Sequence, residues 1–363
     1  MTDIRCTNCR RPYPDVGAPY RCPVCAGLYD YEALPVFDLR TVDPSLPGIW
    51  RYRQTFGLAD EAPQVTLGEG ITPLVWRNSF GRDMAFKLEF LNPTGAYKDR
   101  GSAVLTSFLI ERGVKTAVED SSGNAGASFA AYATSAGIQA QVYIPDSTSG
   151  PKLAQIERYG AEVMRIMGPR SNATQAALRA VEQGLVYASH AYLPQALAGY
   201  ATLAFELYEQ IGGAPGAVVL PAGQGNLLLA AARGFAALKS AGLIQRIPKI
   251  VGVQALACAP LWALYRYGAA GLGWVAEGET LAEGVRVRFP IRGDAVMQMI
   301  AEHDGLLLAV DEPDILPGRD QLARLGFYVE PTSAIVWNAI QQVAIELPDP
   351  VAVVLTGSGL KAS

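Results

Sequence analysis

This sequence predicts an α/β fold built from two open parallel sheets, and three observations carry the prediction. Short apolar runs alternate with helical stretches from Met84 onward. Of the 363 residues, 50% are hydrophobic and only 18% charged, which suits strands buried on both faces. Glycine-rich motifs follow strands and open helices, the place where ligands of open parallel sheets bind.

At the amino end, Cys6-x2-Cys9 and Cys22-x2-Cys25 hold four of the five cysteines. Two such pairs close a tetrahedral sulfur site for zinc, and so short a segment has too little apolar surface to fold without one. Four sulfurs leave no open position, so the zinc is expected to be structural. Disulfides are the weaker reading, because Met1 to Cys6 lacks the apolar core of a secretory signal. Arg10, Arg11 and Arg21 are too few to argue for nucleic acid. Cys258 ends the apolar run from Val251 and reads as a core thiol.

Residues 1–30 are thus a ribbon, and residues 31–83 an extended arm plus part of a large domain, a segment that could meet a second subunit in a homodimer. Residues 84–194 form a smaller α/β domain, with strands expected at Met84 to Leu88, Thr116 to Glu119, Gln139 to Ile144, Glu162 to Ile166 and Leu185 to Ala188. Its helices are expected at Gly101 to Arg112, Asn124 to Ala136, Ser149 to Arg158 and Ala173 to Gln183. Residues 195–363 form the large domain, with strands from Ala217, Ile250, Leu306 and Ala352. A net charge of −4 favours neither nucleic acid nor an anionic membrane, and no apolar run reaches the roughly 18 residues of a span. A cytoplasmic protein acting on a small molecule is expected.

The run Asn92-Pro93-Thr94-Gly95-Ala96-Tyr97-Lys98-Asp99-Arg100-Gly101 places one lysine in a turn at the start of an apolar helix. Partial desolvation and the positive helix terminus both disfavour its ammonium form, leaving an amine able to condense with an aldehyde. Gly223-Gln224-Gly225-Asn226-Leu227 follows an apolar strand and opens a helix, a ready anion site that lacks both the Walker lysine and the dinucleotide spacing. Ser121-Ser122-Gly123-Asn124-Ala125-Gly126 opens another helix, either as a plain cap or as a set of ligand donors.

These segments, with Thr66-Leu67-Gly68-Glu69-Gly70-Ile71-Thr72-Pro73-Leu74 before them and Thr356-Gly357-Ser358-Gly359-Leu360-Lys361 after, resemble in order the motifs of threonine synthases. These are fold-type II pyridoxal-phosphate (PLP) enzymes, related in fold to the β subunit of tryptophan synthase. One subgroup of that family resembles this protein in carrying an amino-terminal ribbon. The resemblance implies PLP bound to Lys98, its phosphate held by Gly223, Gln224, Gly225, Asn226 and Leu227, its phenolic oxygen by Asn124, and its ring nitrogen facing Thr356. It also implies substrate contacts from Ser121, Ser122 and Ala125, and conversion of O-phosphohomoserine and water to threonine and phosphate. Lys98 would take the Cα proton.

The sequence departs from the family at Ala188-Ser189-His190-Ala191-Tyr192-Leu193-Pro194-Gln195, where the basic residue expected to meet the leaving phosphate is absent. Ser189 and His190 are the substrate-contact candidates there, although a lone histidine is more often a packing residue. Thr280 to Arg286 resembles the dehydratase branch, and Arg286 and Arg288 read either as anion contacts or as solvated strand arginines. Glu330 reads as a helix anchor. A β-replacement enzyme on O-phosphoserine, or a hydroxyamino-acid dehydratase, is therefore the alternative activity.

Overall fold

Valine- and alanine-rich runs become parallel strands where helices can cover both faces, and two such sheets form here. The computed structural model describes residues 4–32 and 36–362; residues 33–35 of the arm, 1–3 and 363 lie outside the described set. The strands are β1 (Ile4–Cys6), β2 (Tyr29–Tyr31), β3 (Leu74–Ser79), β4 (Arg82–Lys87), β5 (Thr116–Glu119), β6 (Gln139–Pro145), β7 (Glu162–Ile166), β8 (Val186–Tyr187), β9 (Ala217–Pro221), β10 (Lys249–Ala255), β11 (Leu306–Val310) and β12 (Val351–Val354). The α-helices are α1 (Lys98–Glu111), α2 (Asn124–Ser135), α3 (Pro151–Arg158), α4 (Arg170–Glu182), α5 (Gln195–Ile211), α6 (Asn226–Ser240), α7 (Pro260–Tyr267), α8 (Gly293–Glu302), α9 (Glu312–Arg324) and α10 (Pro331–Val343). Among the described residues no helix is long and apolar enough to cross a membrane.

Two units result, one of Met1–Gly70 with Asn92–Tyr200, the other of Ile71–Leu91 with Ala201–Ala362. In the first, the parallel sheet β7-β6-β5-β8 packs Val142 and Ile144 against Leu105, Leu109, Ala127 and Ile156 from its helices. The ribbon hairpin β1-β2 pairs Cys6 with Tyr29 and joins this unit through Tyr13, whose ring meets Phe108 edge-on at 5.9 Å. The arm is not extended throughout. Gly48–Thr55 winds into 3-10 turns, fully burying Trp50 and Tyr52, and the indole N–H of Trp50 donates to the Val65 carbonyl at 3.2 Å.

The second unit holds six strands in the order β11-β10-β9-β12-β4-β3, all parallel except the edge strand β3. Its core gathers Phe86, Val219, Val253, Val353, Ile335 and Ile340. Here the structure differs from the sequence reading. The Met84 strand pairs in parallel with β12, Phe86 opposite Val353, and so lies in the sheet of the glycine loop rather than in that of Lys98's unit. Strand pairing is a long-range choice that sequence order does not encode. The neighbouring strand β3, which no sequence pattern marks, reaches β4 through the two-residue turn Phe80-Gly81, both at positive φ (55° and 75°). Lys87 at the end of β4 is fully buried and pairs with Glu206 of α5 at 2.7 Å, while donating to the Thr72 carbonyl at 2.7 Å.

Candidate active site

Lys98 is the first residue of α1, three positions earlier than the sequence reading began that helix. The turn before it is closed by Gly95 at φ 82°, whose amide donates to the Asn92 carbonyl at 2.7 Å. Asp99, fully buried, fixes the turn by accepting from the Thr94 amide (2.7 Å), the Thr94 hydroxyl (2.6 Å) and the Ser128 hydroxyl of α2 (2.6 Å). The lysine itself is half-buried. Its Nζ donates to the Tyr97 hydroxyl at 2.7 Å and lies 5.7 Å from the centre of the Tyr200 ring. Gly101 is needed here, because a Cβ at that position would sit 2.5 Å from the Tyr200 ring.

The asparagine loop leaves β5 and enters α2 with Gly123 as the cap, so Asn124 is the first helical residue and the helix has no capping bond from a side-chain oxygen. The loop doubles back so tightly that a Cβ on Gly126 would lie 1.8 Å from the Ser121 carbonyl oxygen. A small pocket brings Lys98, Ala125 and His190 together with Glu119 and Tyr200; Ser121, Ser122, Asn124 and Ser189 do not line it. Glu119 and Tyr200 belong to none of the sequence motifs. An acid closing a buried apolar strand, Ala117-Val118-Glu119, was the available signal for the first.

Glu119 is 2% exposed, its Oε1 lies 3.8 Å from His190 Nδ1, and its Oε2 has no hydrogen-bond partner among the described residues. Burial and the neighbouring Asp120 push the Glu119 carboxyl well above the usual carboxylate range, against the opposing pull of Arg170 and Lys98. Burial, with the Lys98 and Arg170 cations, holds His190 well below the ordinary imidazole value. Asp120 faces away from this pair, accepting from the Tyr187 hydroxyl at 2.7 Å and from Thr174 at 2.5 Å.

In the second unit, β9 runs into Gly223 and Gln224, and Gly225 caps α6 at φ 79°, a left-handed conformation that favours glycine. This helix, too, lacks a capping bond from a side-chain oxygen. The Gln224 side-chain oxygen accepts from the Ile291 amide at 3.0 Å, and Asn226 and Leu227 are buried at the helix start. Thr356 follows β12; its amide donates to the Ser333 hydroxyl at 2.8 Å, while its own buried hydroxyl has no partner among the described residues. Glu330 is the cap residue of α10, and its amide donates to the Gly357 carbonyl at 3.0 Å. Arg286 and Arg288 lie on no strand; their guanidinium groups donate to the backbone carbonyls of Glu277 and Leu272.

Residues 65–357 match the family model described as pyridoxal-phosphate dependent enzyme. The chain belongs to that family. Within this PLP family it is 30% identical to a threonine synthase of Methanocaldococcus jannaschii, over 98% of this chain and 92% of that one. A Synechocystis threonine synthase is 34% identical over 85% and 82% of the two chains, and one from Mycobacterium tuberculosis 32% over 87% and 89%. Among solved structures, a T.th. threonine deaminase superposes with a TM-score of 0.66 at 29% identity, over 79% of this chain and 92% of that one. Maize serine racemase superposes at 0.67 with 23% identity, a likeness of fold, over 79% and 88%. Fold-type II architecture is thereby established for this PLP-family protein, parallel sheets included.

The four ribbon sulfurs all lie within 4.8 Å of one another, with Cys6 to Cys25 at 3.4 Å and Cys9 to Cys22 at 3.7 Å. A tetrahedral zinc with Zn–S bonds of about 2.3 Å sets its sulfurs about 3.8 Å apart. The Val24 amide, first among several donors, lowers the Cys22 thiol to about 6. At Cys25 the Gly27 amide favours the thiolate, but the neighbouring thiols outweigh it and the group is raised to about 12. The spacing of the four sulfurs is thus compatible with one shared ion. Cys258, as the sequence reading held, is a buried core thiol.

Proposed function

We propose that this protein is a PLP-dependent lyase of the threonine synthase type, converting O-phosphohomoserine and water to threonine and phosphate. The observation that carries the reading is the 30–34% identity to curated threonine synthases over most of both chains. The residues fit the cofactor. A half-buried lysine opens α1, a glycine loop without a capping side chain opens α6, and a buried threonine hydroxyl waits for a partner. Lys98 would hold the aldehyde carbon, the backbone of Gly223, Gln224, Gly225, Asn226 and Leu227 the phosphate, Asn124 the phenolic oxygen, and Thr356 the ring nitrogen.

Bound PLP supplies an electron sink for charge that develops at Cα. Lys98 Nζ takes and returns the Cα proton, and the tyrosine rings of Tyr97 and Tyr200 keep that nitrogen out of bulk water. Ser121, Ser122 and Ala125 receive the substrate carboxylate, with Ser189 and His190 nearer its side chain. A neutral hydroxyl at Thr356 would hold the ring nitrogen without protonating it, which would temper the sink and help choose the reaction. In the ribbon, Cys6, Cys9, Cys22 and Cys25 hold one structural zinc.

The 29% identity to threonine deaminase favours one second reading, ammonia release from a hydroxyamino acid. Purified protein is to be incubated with O-phosphohomoserine, O-phosphoserine, threonine and serine in turn, following phosphate, ammonia and threonine. Equal amounts of phosphate and threonine from O-phosphohomoserine alone are expected; ammonia from threonine or serine would replace this reading with the second. Borohydride trapping followed by peptide mass spectrometry is expected to place the cofactor on Lys98.

A further inference from the structure

The pocket beside Lys98 holds an unusual pair for an enzyme that expels phosphate: a buried acid and a neutral imidazole, with no arginine or lysine other than Lys98 lining it. Elementary chemistry defines what such a pair is good for. When the carbon–oxygen bond of the substrate's side chain breaks, its electrons go to oxygen, and the departing oxygen needs a proton. Lys98 is already committed to the proton from Cα. We propose that Glu119 and His190 form the general acid of this site, His190 donating to the departing oxygen and Glu119 resupplying His190.

The geometry supports that order. Glu119 Oε1 faces His190 Nδ1 at 3.8 Å, so a protonated carboxyl and a neutral ring with hydrogen on Nε2 are set for a double transfer. Through one bridging water, the Glu119 O–H bond breaks as that water takes the proton and gives one of its own to form an N–H bond at Nδ1. The Nε2–H bond breaks as an O–H bond forms on the leaving oxygen, and the C–O electron pair stays with that oxygen. In O-phosphohomoserine the Cβ–H electron pair fills the carbon left behind, its proton going to Lys98 once the first has been returned and later to Cγ. The separation exceeds a hydrogen bond, and the pocket, about 10 Å³, has room for roughly one bridging water. The relay runs back when water adds its OH to Cβ: the proton it gives up goes to Nε2, and the proton on Nδ1 returns to Glu119. Glu119 touches no reacting atom and is a positioning residue.

The groups around the carboxyl keep it an acid. Asp120 next to it in sequence and the low-polarity walls Ala125 and Ala188 disfavour a second negative charge, while Arg170 on α4 and Lys98 on α1 draw the proton out once Lys98 becomes charged. Tyr200, whose buried hydroxyl has no partner among the described residues, lines the same pocket. The pair would serve phosphate or hydroxide as leaving group, so the inference rests on PLP-dependent elimination at this site and sharpens the proposed reaction.

Two measurements test it. The first needs neither cofactor nor substrate: difference infrared spectra of wild type against Glu119→Gln at neutral pH are expected to show the carbonyl stretch of a protonated carboxyl. A carboxylate signature instead would overturn the proposal. The second, on the PLP-loaded enzyme in deuterated water, compares exchange of the substrate Cα proton with release of the leaving group. Glu119→Gln and His190→Gln are expected to exchange Cα within threefold of wild type, release the leaving group at least tenfold more slowly, and lose the fall in rate that wild type shows as pH rises through the acid's titration. Equal losses of exchange and release would reduce the pair to a structural role and overturn it. Wild-type Cα exchange with phosphate retained on O-phosphohomoserine would refute the threonine synthase reading, and the two variants are then compared on the hydroxyamino acid that is turned over.

Discussion

Asp99 follows Lys98 directly, and its carboxylate takes three donors from the turn and from α2. Lys98 is aimed by that neighbour, since a lysine at the head of a helix otherwise has four rotatable bonds and only a tyrosine hydroxyl to hold it. An isosteric amide in place of the carboxylate turns two N–H donors toward groups that also donate. Asp99→Asn should therefore cost about 2–4 kcal/mol, each bond to a charged acceptor being worth about 1.5–3 kcal/mol. Urea unfolding monitored by tryptophan fluorescence measures this. A loss below about 1 kcal/mol would mean that the turn re-forms around the amide.

At the scale of elements, the ribbon is the part least able to stand alone. Strands β1 and β2 have three residues each, and the local core is Cys6, Cys22 and Tyr29 with Ile4 and Tyr13 packed against it. So small a cluster offsets little of the conformational entropy lost on folding, and the zinc proposed at the four sulfurs would add to what docking on Phe108 supplies. Elemental analysis is expected to find about one zinc per protein molecule, and Cys22→Ser to lose it. Loss of zinc should open the β1-β2 hairpin to proteolysis while the sheets persist; full-length zinc-free protein as protease-resistant as wild type would count against a structural ion.

The same elements show what the sequence could disclose. Strands β5, β6, β7, β9, β10, β11 and β12 were legible because each is a short apolar run bounded by polar or glycine residues, a local signal. So were Lys98, the glycine loop and the four cysteines, whose chemistry depends on neighbours in sequence. Strand β3 was hidden by its exposed edge residues Trp76, Arg77 and Asn78, which read as arm. Helix α5 was hidden by apolar residues on all its faces, which leave no period to find. Glu119 and His190 are 71 residues apart and meet only because β5 pairs with β8, a fact carried by the fold alone.

Over the whole molecule, buried acids set how stability follows pH. Glu69 and Glu119 both lie above the ordinary carboxylate range, and burial is the leading cause in each case. Glu69 is partly compensated by the Tyr132 hydroxyl at 2.7 Å and the Leu67 amide at 3.0 Å, whereas Glu119 Oε2 is not compensated at all. The sign follows from linkage. In the unfolded state a glutamate loses its proton near pH 4.3; the folded protein keeps it to a higher pH and so binds more protons in the interval. Stability from such a group is complete below the unfolded value and is lost as pH rises through the folded one. Glutamine at position 119 has the shape of the protonated acid and does not titrate. The melting temperature of Glu119→Gln should thus be close to that of wild type near pH 5 and exceed it by a margin that widens toward about pH 9. Each protein serves as the other's control for every remaining group, because only one position differs. A margin that stays constant across that range would show that the carboxyl is ionised throughout, and with it both the stability argument and the acid assigned to the active site would fall.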